Sequence, residues 1–388
     1  MTAVPEGAGS APPAAPRPPG ARERHASAPA LDRRSFLRGS VALAGAALLG
    51  PGSQAGAATS APGARAATPP REGTGSPVPR LRFLTDDPRF VDSRPCVSPD
   101  GRTVLFQRAP AGADPVRTAN ANSSPWSLWT VPAHGGAAEP FFQDPTLRTT
   151  RPEWHGPSGR IVVSGVREGR SGVWTLEADG SGLRAVLPGE PPLDQLFYPS
   201  WFPDGSAVAV TDYRTRRLLR VDVATGHRGA LTDPGEILAG MCSVSPAPAS
   251  PLLLAFAGQR PSGEGYEDSR NSIWLLGRAG GLRPVDREHG RMPAVAPGGE
   301  AVAFMSVRPR PHPRPVLHRR RLPGGIPSVF VTRLGAEGGP SRPVGVTPLD
   351  HAATFAKWFP DGRALVCTAR DRTSGRSGIA VVELAPGG

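Results

Sequence analysis

One motif recurs along this chain: a short extended stretch, a Pro-Asp-Gly turn, then a second apolar stretch. It is clearest at Tyr198-Pro199-Ser200-Trp201-Phe202-Pro203-Asp204-Gly205-Ser206-Ala207-Val208-Ala209-Val210 and at Ala356-Lys357-Trp358-Phe359-Pro360-Asp361-Gly362-Arg363-Ala364-Leu365-Val366-Cys367. Pro95-Cys96-Val97-Ser98-Pro99-Asp100-Gly101-Arg102-Thr103-Val104-Leu105-Phe106 repeats it, and Pro293–Phe304 keeps a worn version. The turn prolines fall at Pro99, Pro157, Pro203, Pro246, Pro297 and Pro360, at gaps of 58, 46, 43, 51 and 63 residues. A four-stranded blade takes about 40–45 residues. The longest gap exceeds the shortest by 20, too little for a further blade, so the spacing predicts six.

Each marker is followed by the same parts: an alternating second strand, a third strand with a branched or aromatic centre, and a hairpin turn into a short fourth strand. Ser127–Val131, Gly172–Leu176, Ser272–Leu276 and Ser328–Thr332 read as third strands. The turns His134-Gly135-Gly136, Asp179-Gly180-Ser181-Gly182, Ala224-Thr225-Gly226, Ala279-Gly280-Gly281 and Glu337-Gly338-Gly339 supply the glycine that tight hairpins need. The last repeat stops after its third strand, Gly378–Leu384. Leu81-Arg82-Phe83-Leu84-Thr85, which resembles Ala230-Leu231-Thr232, stands ready to supply the missing fourth. Closing the ring this way removes exposed sheet edges. The fold expected over residues 80–388 is an all-β, six-bladed β-propeller of four-stranded blades, closed by an N-terminal strand in the last blade.

The first part of the chain reads differently. Asp32-Arg33-Arg34-Ser35-Phe36-Leu37-Arg38 precedes the weakly apolar run Gly39–Gly50. That run is too short to span a hydrocarbon core of roughly 30 Å, and an arginine pair before such a run is similar to a twin-arginine (Tat) signal peptide. Ala55-Gly56-Ala57 is a cleavage candidate, which gives a signal over 1–57 and a flexible, disordered linker over 58–79 rich in Ala, Pro, Gly and Thr. The expected location is secreted or cell-envelope associated, with no transmembrane segment once the signal is removed. Tat substrates cross already folded, so Cys96, Cys242 and Cys367 are expected as buried free thiols; Cys96 and Cys367 are the one pair whose repeats would be neighbours.

The marker resembles the WD-like repeat of the TolB family, over about residues 80–388. The fourth repeat departs from it, with Met241-Cys242-Ser243-Val244-Ser245-Pro246 lacking Asp-Gly, and the second, Trp154-His155-Gly156-Pro157-Ser158-Gly159, is one residue longer. The resemblance implies a propeller used for protein contacts in an envelope. TolB itself carries an extra N-terminal α/β domain, where this chain has a signal and linker.

The net charge of +12 includes +3 from residues 1–57, and the chain holds a single lysine, Lys357, so its basic side is nearly all arginine. The marker turn ends each inner strand on one face, so the loops that enter the inner strands and those between second and third strands should build the opposite mouth of the ring. They carry Asp86, Arg89, Asp92, Asp194, Glu288, His289, Asp350 and His351, a set that could bind a partner and leaves room for a divalent cation such as calcium; no other cofactor is implied. A long loop after the fifth marker packs Arg308, Arg310, Arg314, Arg319, Arg320 and Arg321, groups that clamp carboxylates or phosphates. Without aromatic residues to stack bases, this loop does not argue for nucleic acid. Trp154, Trp201 and Trp358 share one repeat position and read as blade-packing anchors.

There is no Gly-x-Ser-x-Gly, His-Glu-x-x-His or Cys-x-x-Cys. The functional expectation is therefore a monomeric, non-enzymatic binding propeller for an envelope or extracellular protein or an anionic polymer. The alternative is a secreted polysaccharide lyase or glycosidase using His289, His351 and the loop acids.

Overall fold

The computed structural model describes residues 80–111, 125–187, 196–308, 325–335 and 339–384. The signal, the linker, Asp194, and Arg310, Arg314, Arg319, Arg320 and Arg321 lie outside them. Six antiparallel four-stranded sheets form in chain order. Blade 1 holds β2 (Phe90–Val97), β3 (Thr103–Pro110), β4 (Ser127–Pro132) and β5 (Glu139–Phe142). Blade 2 holds β6 (Leu147–Trp154), β7 (Ile161–Arg167), β8 (Arg170–Leu176) and β9 (Arg184–Leu187). Blade 3 holds β10 (Leu196–Trp201), β11 (Ala207–Asp212), β12 (Arg217–Asp222) and β13 (Arg228–Ala230). Blade 4 holds β14 (Leu238–Val244), β15 (Leu252–Gln259), β16 (Ser272–Gly277) and β17 (Leu282–Pro284). Blade 5 holds β18 (Arg291–Val295), β19 (Ala301–Ser306), β20 (Ser328–Arg333) and β21 (Val344–Gly345). Blade 6 holds β22 (His351–Trp358), β23 (Ala364–Asp371), β24 (Ser377–Glu383) and, at its outer edge, β1 (Leu81–Phe83). The first strand of each blade touches the first strands of the two neighbouring blades, and β22 touches β2, so the ring closes.

The marker turn is built the same way in most blades. Ser98, Phe202, Ala296 and Phe359 each accept a bond from the glycine three residues on, and Gly101, Gly205, Gly299 and Gly362 have φ of 74°, 66°, 78° and 70°. Asp100, Asp204 and Asp361 accept the backbone N–H two residues later at 2.9–3.0 Å, which explains Asp at this place. In blade 2 the extra residue makes Gly159 bond His155, four residues back. Blade 4, without Asp-Gly, closes its turn instead with Ser250, whose Oγ accepts from the amide of Leu252.

The second strands differ from the alternation expected of them. All six residues of β11 and of β19 are buried. The reason is that blades stack face to face, so both sides of a second strand are covered. The six largest apolar clusters correspond to the six gaps between neighbouring blades. The last of these joins blade 6 to blade 1 through Leu84, Val104, Phe106, Val366 and Ile379. Trp201 Nε1 donates to the carbonyl of Glu153 in the preceding blade at 3.2 Å, and Trp358 Nε1 to that of Ala294 at 2.9 Å. The repeated tryptophan is thus an inter-blade anchor.

The likeness of Leu84-Thr85 to Leu231-Thr232 also has a physical basis. β13 ends at Ala230, and beyond it the Thr232 hydroxyl accepts the amide of Leu218 at 2.9 Å. Thr85 does the same for Ile379 at 2.9 Å, and Thr347 for Val329 at 3.1 Å. A threonine hydroxyl takes over where the outer strand leaves its neighbour.

Cys96, Cys242 and Cys367 are free and buried. Burial pushes each thiol up to about 12. A thiol reagent at neutral pH is expected to label none of them in the native protein and all after unfolding; rapid native labelling of any one would contradict this packing.

Candidate functional site at the mouth of the ring

Every inner strand breaks its register at the same level. The shifts lie between Ser93 and Cys96, Thr150 and Glu153, Phe197 and Ser200, Ala239 and Cys242, Arg291 and Ala294, and Thr354 and Lys357. In five blades the displaced residue is not glycine yet has positive φ: Arg94 at 51°, Arg151 at 56°, Tyr198 at 57°, Met292 at 55° and Phe355 at 53°. Each such conformation costs about 1–3 kcal/mol and persists only where the surroundings enforce it. In four of them proline follows, which an inner-edge bulge accepts because no ladder bond is lost there. The displaced residues and their successors line a cavity of about 60 Å³ on the ring axis.

Two sets of equivalent positions, one from each blade, lie at this level. The first is Arg94, Arg151, Tyr198, Gly240, Met292 and Phe355; the next, two residues on, is Cys96, Glu153, Ser200, Cys242, Ala294 and Lys357. Glu153 and the chain's single lysine, in blades 2 and 6, form an ion pair past Cys96. Glu153 also accepts from Ser200 Oγ at 2.7 Å and from the amide of Trp201 at 2.9 Å. Burial works against the Lys357 ammonium, but the Glu153 charge and hydrogen bond outweigh it and raise the lysine pKa.

The first set is positive and short of partners. Arg94 stacks on Phe355 at 4.5 Å, and Arg151 on Tyr198 at 4.4 Å and Phe197 at 4.7 Å. Neither arginine forms an ion pair among the described residues. Arg94 Nε and Arg151 Nε and Nη1 are buried without hydrogen-bond partners. Burial, and then the like charge of Arg151, bring Arg94 down to about 10. Burial would raise Tyr198, but the Arg151, Arg94 and Arg291 charges and a hydrogen bond from Arg151 leave it below its usual value. On the other side of Tyr198, Met241, Met292 and Met305 pack together with Phe355 and narrow the channel with an apolar waist.

Towards the loops, Arg216 lies over Tyr266 at 3.7 Å and Tyr213 at 4.7 Å, with Nη1 unpartnered. Arg291 pairs with Asp268 at 2.7 Å. Tyr266 and Asp268 come from the loop between β15 and β16, which contains a single 3-10 turn, Asp268–Arg270.

The residues expected from the loops occupy this rim but do not converge. Asp92 is held by Arg108 in a buried two-bond pair at 2.6 and 2.7 Å. Asp86 pairs with Arg376 at 2.7 Å, and Arg89 folds back on Asp87 at 2.7 Å on the surface. Arg308 is taken up by Asp286 at 2.6 Å and Glu288 at 3.3 Å. His351 Nδ1 meets Asp350 at 2.7 Å. Among the described residues no three His, Cys, Asp or Glu side chains come together as a metal group would require.

His289 is set by its neighbours. Its Nδ1 accepts from the amide of Val307 at 3.4 Å, which puts the ring proton on Nε2. Burial first, then the charges of Arg291 and Arg308, lower it to about 4, against a small opposing effect of Asp268. The folded state therefore holds fewer protons than the unfolded state between about 6.5 and 4. Its contribution to stability is complete above 6.5 and is lost as the pH falls through that window. His289→Gln is expected to flatten the acid limb of a urea-unfolding profile by on the order of 2 kcal/mol. An unchanged limb would contradict this environment.

Sequence reading missed the channel residues because they sit inside strands, not in loops. The available signal was Arg94-Pro95, Arg151-Pro152, Tyr198-Pro199 and Met292-Pro293: proline within a strand marks a bulge, and the residue before it is the one turned out.

No protein-family model and no curated protein matches the chain. Solved structures do. A putative TolB from Agrobacterium tumefaciens is 16% identical, covering 80% of this chain and 100% of its own, with a TM-score of 0.49. TolB from Acinetobacter baumannii is 13% identical over 76% of this chain and 80% of its own, TM-score 0.47. An oligogalacturonate lyase from Vibrio parahaemolyticus is 11% identical over 80% and 98%, also at 0.47. The solved structures similar to this chain thus include TolB proteins and an oligogalacturonate lyase, while the propeller itself is given by the six sheets described above.

Proposed function

We propose that this chain is an exported binding propeller that receives an acidic partner, an envelope polymer or the acidic face of a protein, at the mouth built by the loops around its inner strands. The observation that carries this reading is the arginine-lined axis: Arg94, Arg151 and Arg216 open towards that mouth without carboxylate partners among the described residues. Buried cations without counter-charge are costly, and a partner that supplies the negative charge gains what the free protein lacks.

The experiment is co-sedimentation of the protein with isolated envelope polymers and a panel of acidic and neutral glycans, at low and high salt. Selective, salt-sensitive retention by acidic polymers is expected, since the interaction is between charges screened over about 10 Å at 0.1 M salt. Equal retention by neutral glycans would contradict it. For export, Arg33→Lys with Arg34→Lys is expected to hold the protein in the cytoplasm; unchanged export would remove the twin-arginine assignment.

One observation favours a second reading, elimination on an acidic glycan. Tyr198 lies beside the Arg94 and Arg151 guanidiniums, whose charges lower its pKa, so a titratable hydroxyl stands next to groups able to neutralise a carboxylate. Absorbance of unsaturated products in the same mixtures tests it. His289 and His351 do not share a site with Tyr198, and no role in such a step is assigned to them.

A further inference from the structure

The channel cavity is lined by three cationic side chains, Arg94, Arg151 and Lys357, and one carboxylate, Glu153. Glu153 is committed to Lys357, Ser200 and Trp201. Two positive charges are left facing each other in a space largely walled by proline, methionine and phenylalanine. Arg94 Nε and Arg151 Nε and Nη1 have no acceptor. In a folded protein such groups are rare, and each costs about 1–3 kcal/mol unless something outside the chain accepts from it. The stacking of Arg94 on Phe355 and of Arg151 on Tyr198 fixes both planes, so the donors are preorganised and not merely trapped. Water alone would accept these bonds but would leave the like charges uncompensated.

The geometry points to an oxoanion site inside the ring: the cavity takes one carboxylate or phosphate group between Arg94 and Arg151, with the Tyr198 hydroxyl as a further donor. It deepens the proposed binding function, on which it rests for the anion's source: the acidic group of a docked partner reaches this far. A volume of about 60 Å³ is several times the space that holds one water, about 10–15 Å³ on the same measure, and suits a single such group. The apolar wall beside it favours an anion carried on an organic body over a free ion.

The test uses the full chain and three probes in a buffer of low ionic strength: inorganic phosphate, glucuronate, and glucose as the uncharged counterpart of glucuronate. Calorimetric titration and melting temperature are read for the wild type, Arg94→Gln, Arg151→Gln and Glu153→Gln. Saturable binding of glucuronate is expected, without binding of glucose. Arg94→Gln and Arg151→Gln should each weaken it at least tenfold, and Glu153→Gln, which removes the one negative charge in the wall, should strengthen it several-fold. Without any anion, Arg94→Gln or Arg151→Gln should melt no lower than the wild type, because one of two like charges is gone. Tighter binding of glucuronate than of phosphate assigns the site to an acidic organic group, and the reverse to the free ion. The proposal is overturned if no probe saturates, or if both arginine variants keep the wild-type affinity. Loss of polymer retention with anion binding intact would sink only the docking function, and the opposite result only this site.

Discussion

Removing residues 80–88 is expected to abolish cooperative folding, whereas removing residues 1–70 should leave the melting temperature unchanged, because the closing strand begins only at Leu81. β1 pairs with β24 through Leu81–Val382, Arg82–Val381 and Phe83–Ala380. Leu84 then donates to the Ile379 carbonyl at 2.7 Å and fills the gap between blades 6 and 1. Without this segment β24 becomes an open edge, the arrangement most prone to pair with another chain. Gly378→Ala tests the same closure with a single atom. A Cβ there would lie 2.0 Å from the Thr85 carbonyl oxygen and 2.7 Å from its carbonyl carbon, backbone atoms that cannot swing aside as a side chain would. A loss of about 3 kcal/mol is expected in urea unfolding, at the upper end for overpacked sites. A shift under about 0.5 kcal/mol, the usual range for surface substitutions, would contradict the ring closure described.

The second large effect is expected at Glu153. Glu153→Ala strips the only lysine of its counter-charge and leaves Ser200 Oγ and the Trp201 amide without an acceptor. Breaking a buried pair from one side costs about 3–5 kcal/mol, whereas replacing both partners by apolar groups is often near neutral. The Glu153→Ala/Lys357→Met double variant should therefore recover at least half of the loss. A double-mutant cycle with no coupling would refute the pair. The pH dependence lies on the alkaline side. Lys357 holds its proton more tightly folded than unfolded. Its contribution is complete below the ordinary lysine value of 10.5 and disappears as the pH rises through the higher folded value. Wild type and double variant should converge there.

The parts of this molecule readable from its sequence are those where local chemistry repeats. Pro-Asp-Gly requires a positive-φ glycine and an aspartate acceptor, so Gly101, Gly205 and Gly362 announce the blade turns. Leu84-Thr85 announces the closing strand because a threonine hydroxyl ends an outer strand in the same way three times. Trp201 and Trp358 were readable as anchors for the same reason. The channel was not. Arg94, Arg151 and Tyr198 differ from blade to blade, and only the ring brings them within reach of one another. The loop acids misled for the opposite cause. Asp92 and Glu288 carry ligand-type chemistry, yet each is satisfied by an arginine of its own blade, Arg108 or Arg308, a pairing that no spacing along the chain reveals. Tyr266 and Asp268, on the loop between the second and third strands of blade 4, belong to no repeated motif that would mark them.

The measurement that bears most directly on the central claim compares the two ends of the ring. Retention by an acidic envelope polymer is read for Arg216→Ser and Arg151→Gln at the mouth, and for Arg102→Ser and Arg363→Ser on the exposed marker turns at the other end. If the mouth receives the partner, the first two lose at least tenfold in affinity and the last two stay within twofold of the wild type. Equal losses at both ends, or losses confined to Arg102 and Arg363, would show that the chain binds by diffuse charge or by the opposite face and would contradict the account.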